Sequence, residues 1–204
     1  MSWYGEWFLP RMVDRTCGGA ELAPWRRRVT DGLAGVVVEI GFGSGTNLRH
    51  LPDAVREVLA VEPSAGARDL AEPRIRDAPV PVRWVGLDGD RIDLPDGAAV
   101  AGLATFVLCT VPDPRATLAE LFRIIRPGGH LHLLEHGLSP DPGVARWQRR
   151  LDPIERRLAG GCHLTRIPER LIVDAGFEPL VLETGYGPGP RPWTWFTTAM
   201  ARRH

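Results

Sequence analysis

The feature that most constrains the fold is a run of apolar, β-branched residues that breaks into a glycine-rich turn. The run covers 36–40, the turn carries Gly41, Gly43 and Gly45, and a helix-like segment follows. Glycine is the residue that lets backbone turn tightly and approach a ligand without steric cost. A second apolar run at 58–61 ends in Glu62, and an acid there can accept hydrogen bonds from a ribose diol. The pattern predicts a nucleoside-binding βαβ unit.

The acid that precedes the turn indicates which nucleoside binds. A dinucleotide fingerprint has a third glycine where Thr46 stands, and it sets a pyrophosphate on a helix N-terminus. Glu39 lies two residues before Gly41, and its carboxylate would repel a pyrophosphate but attract a cation such as the ammonium of a methionine moiety. A methionine-bearing nucleoside is favoured; a nicotinamide or flavin cofactor and a structural turn are the alternatives.

Composition excludes several classes of function. The chain has 204 residues with 25 basic and 25 acidic side chains, so no net charge favours nucleic acid as a partner. It has no lysine, which excludes a lysine Schiff base. Its three cysteines, Cys17, Cys109 and Cys162, are scattered without metal-ligand spacing, so we expect free thiols, no metal site and a cytoplasmic location. Neither a signal peptide nor a membrane span is expected.

Strand-like and helix-like segments alternate along most of the chain, which indicates an α/β fold with a mostly parallel sheet and helices on both faces. We expect one domain, 1–204, with a helical lid at 1–30, a nucleoside-binding core at 31–136, and substrate-side helices with a final hairpin at 137–204. The third strand, 80–85, contains a proline, which predicts an edge position. A basic amphipathic helix is expected at 143–159.

Several motifs together resemble the class I S-adenosylmethionine (SAM) methyltransferases of the UbiE/menaquinone-methyltransferase type. These motifs are Glu39-x-Gly41-x-Gly43-x-Gly45, the loop 87–97, and Arg126-Pro127-Gly128-Gly129. The resemblance implies a Rossmann-like seven-stranded sheet and SAM as the cofactor. It implies the cofactor-binding residues Glu39, Gly41, Phe42, Gly43, Gly45, Asn47, Glu62, Pro63, Asp90, Arg91, Thr105 and Val107. Asp88 is the alternative to Asp90 as the adenine-binding acid.

Three further segments are similar to the alkyl-thiol methyltransferase subgroup: 108–111, 134–136 and 161–166. They supply the candidate catalytic residues His136, Glu135 and His163. His136 is the best candidate general base, because its ordinary pKa lies near neutrality; a histidine that only closes the strand is the alternative. Cys109 and Cys162 are interpreted as buried small residues rather than nucleophiles.

The favoured function is methyl transfer from SAM to a small apolar or amphipathic acceptor: a thiol, a phenol or quinone, or a lipid amine. The alternatives are a non-catalytic nucleotide- or partner-binding module with the same fold and a nicotinamide-dependent oxidoreductase. Known members of the alkyl-thiol subgroup carry an N-terminal membrane anchor that this sequence does not show, so its acceptor need not be theirs. Peripheral membrane contact through the 143–159 helix is an open alternative to a solvated arginine face.

Overall fold

The computed structural model describes residues 3–86 and 89–204, and its centre is a sheet of seven strands. In chain order the strands are β1 (Gly35–Ile40), β2 (Val55–Val61), β3 (Val82–Gly86), β4 (Ala99–Thr105), β5 (Ile125–His136), β6 (Glu178–Tyr186) and β7 (Trp195–Arg202). Their spatial order is β3-β2-β1-β4-β5-β7-β6. β7 alone runs opposite to the other six strands, which confirms the expected seven-stranded, mostly parallel sheet.

Six α-helices accompany the sheet in the described ranges. They are α1 (Leu9–Cys17), α2 (Ala23–Thr30), α3 (Ala65–Arg76), α4 (Pro114–Ile124), α5 (Pro142–Leu158) and α6 (Pro168–Asp174). Three of them begin as the sequence dictates: Ser64, Asp113 and Asp141 each accept a hydrogen bond from a backbone N–H of the first turn. None of the described helices combines the length and apolar character needed to cross a membrane.

Two hydrophobic clusters cover the two faces of the sheet. One holds Leu118 and Leu121 of α4 with Ile172 of α6, and the other holds Val29 of α2 with Ala71 of α3. The strands between them are nearly continuous apolar runs, as expected for a parallel sheet buried on both sides. The carboxyl ends of β1, β2, β4 and β5 therefore meet at one edge of the sheet, where α/β proteins bind ligands.

The structure confirms the edge position of β3 and lacks the helix expected directly after β1. The segment after β1 forms only a 3-10 turn, Leu48–His50, instead of a longer helix, because Gly43 and Gly45 adopt left-handed φ angles that an α-helix cannot use. The segment Arg126–Gly129 is included in the long strand β5, and Gly128 has a φ of 77° there.

The N-terminal segment lies against the glycine-rich turn and the start of α3. Asp14 of α1 accepts a hydrogen bond from Ser44 in that turn, and it pairs with Arg74 of α3 at 2.7 Å. These two hydrogen bonds hold the pKa of Asp14 below its usual value, although burial raises it. A Cβ atom on Gly66 would lie 1.7 Å from the carbonyl oxygen of Glu6. Close approach of this kind requires glycine.

The helix α5 buries a different face from the one its large apolar residues suggest. Trp147, Ile154 and Leu158 are more than half exposed, whereas the buried positions are Val144, Ala145, Gln148 and Asp152. Gln148 accounts for part of this orientation: it accepts from the N–H of Ser139 and donates to the carbonyls of Gly137 and Pro192.

Candidate active site

The glycine-rich turn brings the end of β1 close to the loop after β4. Gly41, Gly43 and Gly45 have φ angles of 65°, 58° and 75°, which favour glycine. A Cβ atom on Gly41 would lie 2.4 Å from Cγ2 of Val107, so the two loops touch at this point. Phe42 is buried and packs edge-to-face on Trp84, which anchors the turn to the β3 side of the sheet.

Glu62 at the end of β2 is held by backbone donors. Its carboxylate accepts from the N–H of Gly43 at 2.8 Å and from the N–H of Ser64 at 2.9 Å. Burial raises the pKa of Glu62, and these two hydrogen bonds oppose that rise. The acid is thereby fixed beside the glycine-rich turn, and Pro63 beside it is exposed.

Glu39, Asn47 and Thr105 form a hydrogen-bonded group at the ends of β1 and β4. Asn47 donates its side-chain N–H to Glu39 at 2.7 Å and to Thr105 at 3.0 Å. The other carboxylate oxygen of Glu39, Oε2, is buried and has no hydrogen-bond partner in the described chain. Burial raises the pKa of Glu39 to about 7. An unpaired, buried carboxylate oxygen is a costly arrangement that a cationic ligand would relieve.

Arg26 of α2 joins this group, and no sequence motif singled it out. Its guanidinium donates to the side-chain oxygen of Asn47 at 2.5 Å and to the carbonyl of Cys17 at 2.6 Å. The side chain is 2% exposed, which is unusual for arginine without a charged partner. The sequence shows Arg26 only as part of the run Arg26–Arg28. Three adjacent arginines do not indicate which of them points into the protein.

Glu39 and Arg26 place opposite charges on two sides of Asn47. An α-amino acid carries an ammonium and a carboxylate, so this pair matches both of its charged groups. A pyrophosphate carries only negative charge and would meet the carboxylate of Glu39. The donor set therefore fits the methionine end of SAM and does not fit a dinucleotide phosphate.

The adenine side of the predicted site is less enclosed. Asp90 accepts a hydrogen bond from the hydroxyl of Thr117 at 2.7 Å, which ties its loop to α4, and Arg91 is exposed. The alternative residue, Asp88, lies outside the described residues.

Glu135 at the end of β5 holds the loop that follows β4. Its Oε1 atom accepts from the backbone N–H groups of Val107 and Leu108 at 2.6 and 2.7 Å. Burial raises the pKa of Glu135 to about 7. Both hydrogen bonds fix the backbone that touches Gly41, so the geometry gives Glu135 a positioning role.

His136 lies in a group of sulfur and nitrogen atoms rather than in an open pocket. Its Nε2 atom is 3.0 Å from Sγ of Cys162, and Cys109 lies beside both. The third residue predicted to be catalytic, His163, donates its backbone N–H to the carbonyl of Cys109 at 2.8 Å. Its imidazole Nδ1 lies 3.8 Å from Asp152, so the fold brings His163 to the wall of the same region.

Comparisons with known proteins identify methyltransferases as relatives of this chain. A family model described as a methyltransferase domain matches residues 38–133. Thiol S-methyltransferase TMT1B of Rattus norvegicus is 32% identical over 164 residues, covering 77% of this chain and 65% of that relative. This chain thus spans slightly less than two thirds of that relative's length. Phosphatidylethanolamine N-methyltransferase of Cereibacter sphaeroides is 26% identical over 191 residues, covering 91% of this chain and 90% of that protein.

A solved structure shows the same fold. N-methyltransferase NodS from Bradyrhizobium japonicum, in complex with S-adenosylhomocysteine (SAH), superposes with a TM-score of 0.70 at 15% identity, covering 96% of this chain and 92% of that chain. The sheet order, the glycine-rich turn with its two acids, and the similarity to methyltransferases agree. Residues 38–133 therefore belong to the methyltransferase domain family, and the chain has the fold of the class I SAM-dependent methyltransferases.

Proposed function

We propose that this protein transfers a methyl group from SAM to a small apolar or amphipathic acceptor. The observation that carries the proposal is the buried carboxylate of Glu39, whose Oε2 atom has no partner in the described chain, beside the buried guanidinium of Arg26. A zwitterionic amino acid satisfies both groups. The two glutamates and the turn between them are all in place, which argues against a binding module that has lost its catalytic role.

When bound, SAM supplies an electrophilic methyl group on a sulfonium. Glu39 would accept hydrogen bonds from its ammonium, Arg26 would donate to its carboxylate, and Glu62 would accept from its ribose hydroxyls. The glycine-rich turn would leave room for SAM, because Gly41, Gly43 and Gly45 have no side chains. Asn47 and Thr105 would hold the two charged groups, Glu39 and Arg26, in place. Asp90 would accept from the adenine amino group, and the backbone N–H of Arg91 would hold the adenine from a second side.

Positioning supplies most of the catalysis in this proposal. Holding donor and acceptor in line is worth about 7–11 kcal/mol in well-oriented reactions. Glu135 positions the Val107–Leu108 backbone, and His163 positions Cys109. As a general base, His136 would have to move its Nε2 atom away from Cys162, because the two atoms are 3.0 Å apart.

The acceptor is proposed from the chemistry that the relatives' names state. Those names specify thiols and phosphatidylethanolamine, and each offers a nucleophilic atom, sulfur or nitrogen, to the methyl group. A thiol ionises more readily than an amine loses its proton, so thiols are the first acceptors to test. Phenols and quinones are the next class, and the segment 1–30 would act as a lid that excludes water.

The test is calorimetric titration of the protein with SAH and, in parallel, with NAD. We expect micromolar SAH binding and no NAD binding. Glu62→Ala should weaken SAH binding by about 10- to 100-fold, because hydrogen bonds to a charged group are worth about 1.5–3 kcal/mol. Glu57→Ala on the same strand is the matched control, since Glu57 pairs only with Arg83 in the described contacts, at 3.0 Å. NAD binding, or no SAH binding by folded protein, would contradict the assignment.

We also propose that the N-terminal segment and α5 together contact membranes. Trp7 is 47% exposed and Leu158 is 56% exposed, and Tyr4 donates its hydroxyl hydrogen to the carbonyl of Leu158, which joins the two segments. The helices α1 and α5, which carry these segments, also carry exposed arginines: Arg11, Arg146, Arg149, Arg150, Arg156 and Arg157. Aromatic and aliphatic side chains flanked by arginines match an anionic lipid surface.

Vesicle co-sedimentation tests this contact. Binding should be stronger to vesicles with anionic lipids than to neutral ones, and it should weaken in the double variant Trp7→Ser/Leu158→Ser. The control is Leu180→Ser, which removes an apolar side chain from β6 that is 44% exposed. Equal sedimentation of all three proteins, or no sedimentation of wild type, would rule out this surface.

A further inference from the structure

Cys109, His136 and Cys162 come from three separate parts of the chain and meet at the carboxyl edge of the sheet. Cys109 follows β4, His136 ends β5, and Cys162 follows α5. One potential ligand atom from each, two Sγ and one imidazole nitrogen, lie within 4.8 Å of one another. No other group of three cysteine, histidine or acidic residues in the described chain meets this criterion.

The three side chains are almost enclosed by protein. Cys109 is 3% exposed, Cys162 6% and His136 9%. The Nε2 atom of His136 faces only sulfur, and its Nδ1 atom is buried without a hydrogen-bond partner in the described chain. Buried imidazoles are ordinarily hydrogen-bonded. Nε2 has no oxygen or nitrogen partner in the described chain, so it is available to a metal ion that also meets the two sulfurs.

The loops that carry these side chains are held from outside the cluster. Arg166 donates to the carbonyls of Leu108 and Val111, and the backbone N–H of His163 binds the carbonyl of Cys109. Glu135 accepts a hydrogen bond from the backbone N–H of Leu108, the residue before Cys109. A second set of contacts that orients potential ligands is typical of metal sites.

We propose that Cys109, His136 and Cys162 form a Zn²⁺ site that leaves a fourth coordination position open. Two sulfurs and one imidazole are ligands that zinc prefers, and three protein ligands with a free position are the pattern of reactive rather than structural zinc sites. Tetrahedral zinc separates such donors by about 3.5–3.8 Å, from bond lengths of about 2.0–2.3 Å. Small shifts of the side chains would meet that spacing.

The open position would accept water or a thiol. A thiol that coordinates zinc loses its proton, which here passes to solvent, and the resulting thiolate is the nucleophilic form of a methyl acceptor. This use of the site rests on the proposed methyl transfer, whereas metal binding does not.

Metal uptake by reduced full-length protein tests the site directly. We expect about one Zn²⁺ per chain by mass spectrometry, and with Co²⁺ a sulfur-to-cobalt charge-transfer band. Cys109→Ser, Cys162→Ser and His136→Gln should each weaken Zn²⁺ affinity by about 100-fold or more, measured against a chromophoric chelator. The matched control is Cys17→Ser, which removes the remaining cysteine and should bind Zn²⁺ like wild type.

A small thiol added to the Co²⁺ protein should change the absorption spectrum if the fourth position is open. Wild-type protein that binds no stoichiometric metal, or Cys109→Ser/Cys162→Ser protein that keeps the wild-type affinity, would overturn the site. A Co²⁺ spectrum that a thiol leaves unchanged would overturn the open position. SAH titration of the same preparations reports separately on the cofactor site, so failure of one proposal does not resemble failure of the other.

Discussion

Replacing Glu39 by glutamine should weaken SAH binding by about 100-fold, one of the two largest effects that we expect. Glutamine keeps an oxygen that can accept from Asn47, so the hydrogen bond of 2.7 Å survives. The negative charge that faces the ligand ammonium is lost, and a hydrogen bond between two charged groups in a buried site is worth about 1.5–3 kcal/mol. Calorimetric titration at pH 8 measures the difference.

The affinity of the same variant for SAH should no longer depend on pH between pH 6 and pH 8. Because burial raises the pKa of Glu39 to about 7, wild-type affinity for SAH should rise from pH 6 to pH 8 as the carboxylate ionises, and the affinity of Glu39→Gln should not. The free energy of unfolding of wild-type protein changes with pH in the opposite direction from its affinity for SAH. Between the ordinary pKa of 4.5 and about 7, the unfolded chain releases this proton while the folded chain retains it, so the free energy of unfolding falls as pH rises.

The raised pKa of Glu135 makes the free energy of unfolding fall with pH by a similar amount in both proteins. The difference in this fall between wild type and Glu39→Gln therefore reports on Glu39 alone. For a rise from 4.5 to about 7, that difference amounts to about 3 kcal/mol across the window. Glu57→Gln, at a half-buried position of β2, is the control and should match wild type in both measurements. Equal SAH affinity in wild type and Glu39→Gln would remove Glu39 from the cofactor site.

Replacing Gly41 by alanine should destabilise the fold by about 3 kcal/mol and disturb the cofactor site at the same time. The φ of 65° costs an alanine about 1–2 kcal/mol. The new Cβ would also lie 2.4 Å from Cγ2 and 2.7 Å from Cβ of Val107, and relieving such an overlap costs about 1–3 kcal/mol. Thermal unfolding should show a melting temperature lower by about 10 °C.

Gly128→Ala separates these two causes. Gly128 has a φ of 77°, and a Cβ atom there would meet nothing within 4 Å, so only the conformational cost remains. Adding Val107→Ala to Gly41→Ala removes the nearer atom and should restore part of the lost stability. If Gly41→Ala and Gly128→Ala lose equal stability, the contact between the two loops carries no energy.

Local pattern was enough to predict the strands, the glycine-rich turn and the acids at the ends of β1 and β2. It also predicted β3 as an edge strand, because proline lacks the N–H that a central strand needs. The helix expected directly after β1 was wrong, because the left-handed glycines leave only a 3-10 turn there. The exposure of Trp147, Ile154 and Leu158 on α5 also departs from what apolar spacing suggests, because Gln148 turns the other face inward.

What the sequence by itself determined is the set of chemical groups and their places at strand ends, since both follow from contacts between near neighbours. What only the tertiary structure decided is which distant groups meet. The sheet order puts β4 between β1 and β5, so Thr105 reaches Asn47, and Cys109 reaches His136 and Cys162. Arg26 turns inward because Asn47 and the carbonyl of Cys17 accept its hydrogen bonds. No spacing along the chain encodes these distances, because they depend on how the strands pack side by side.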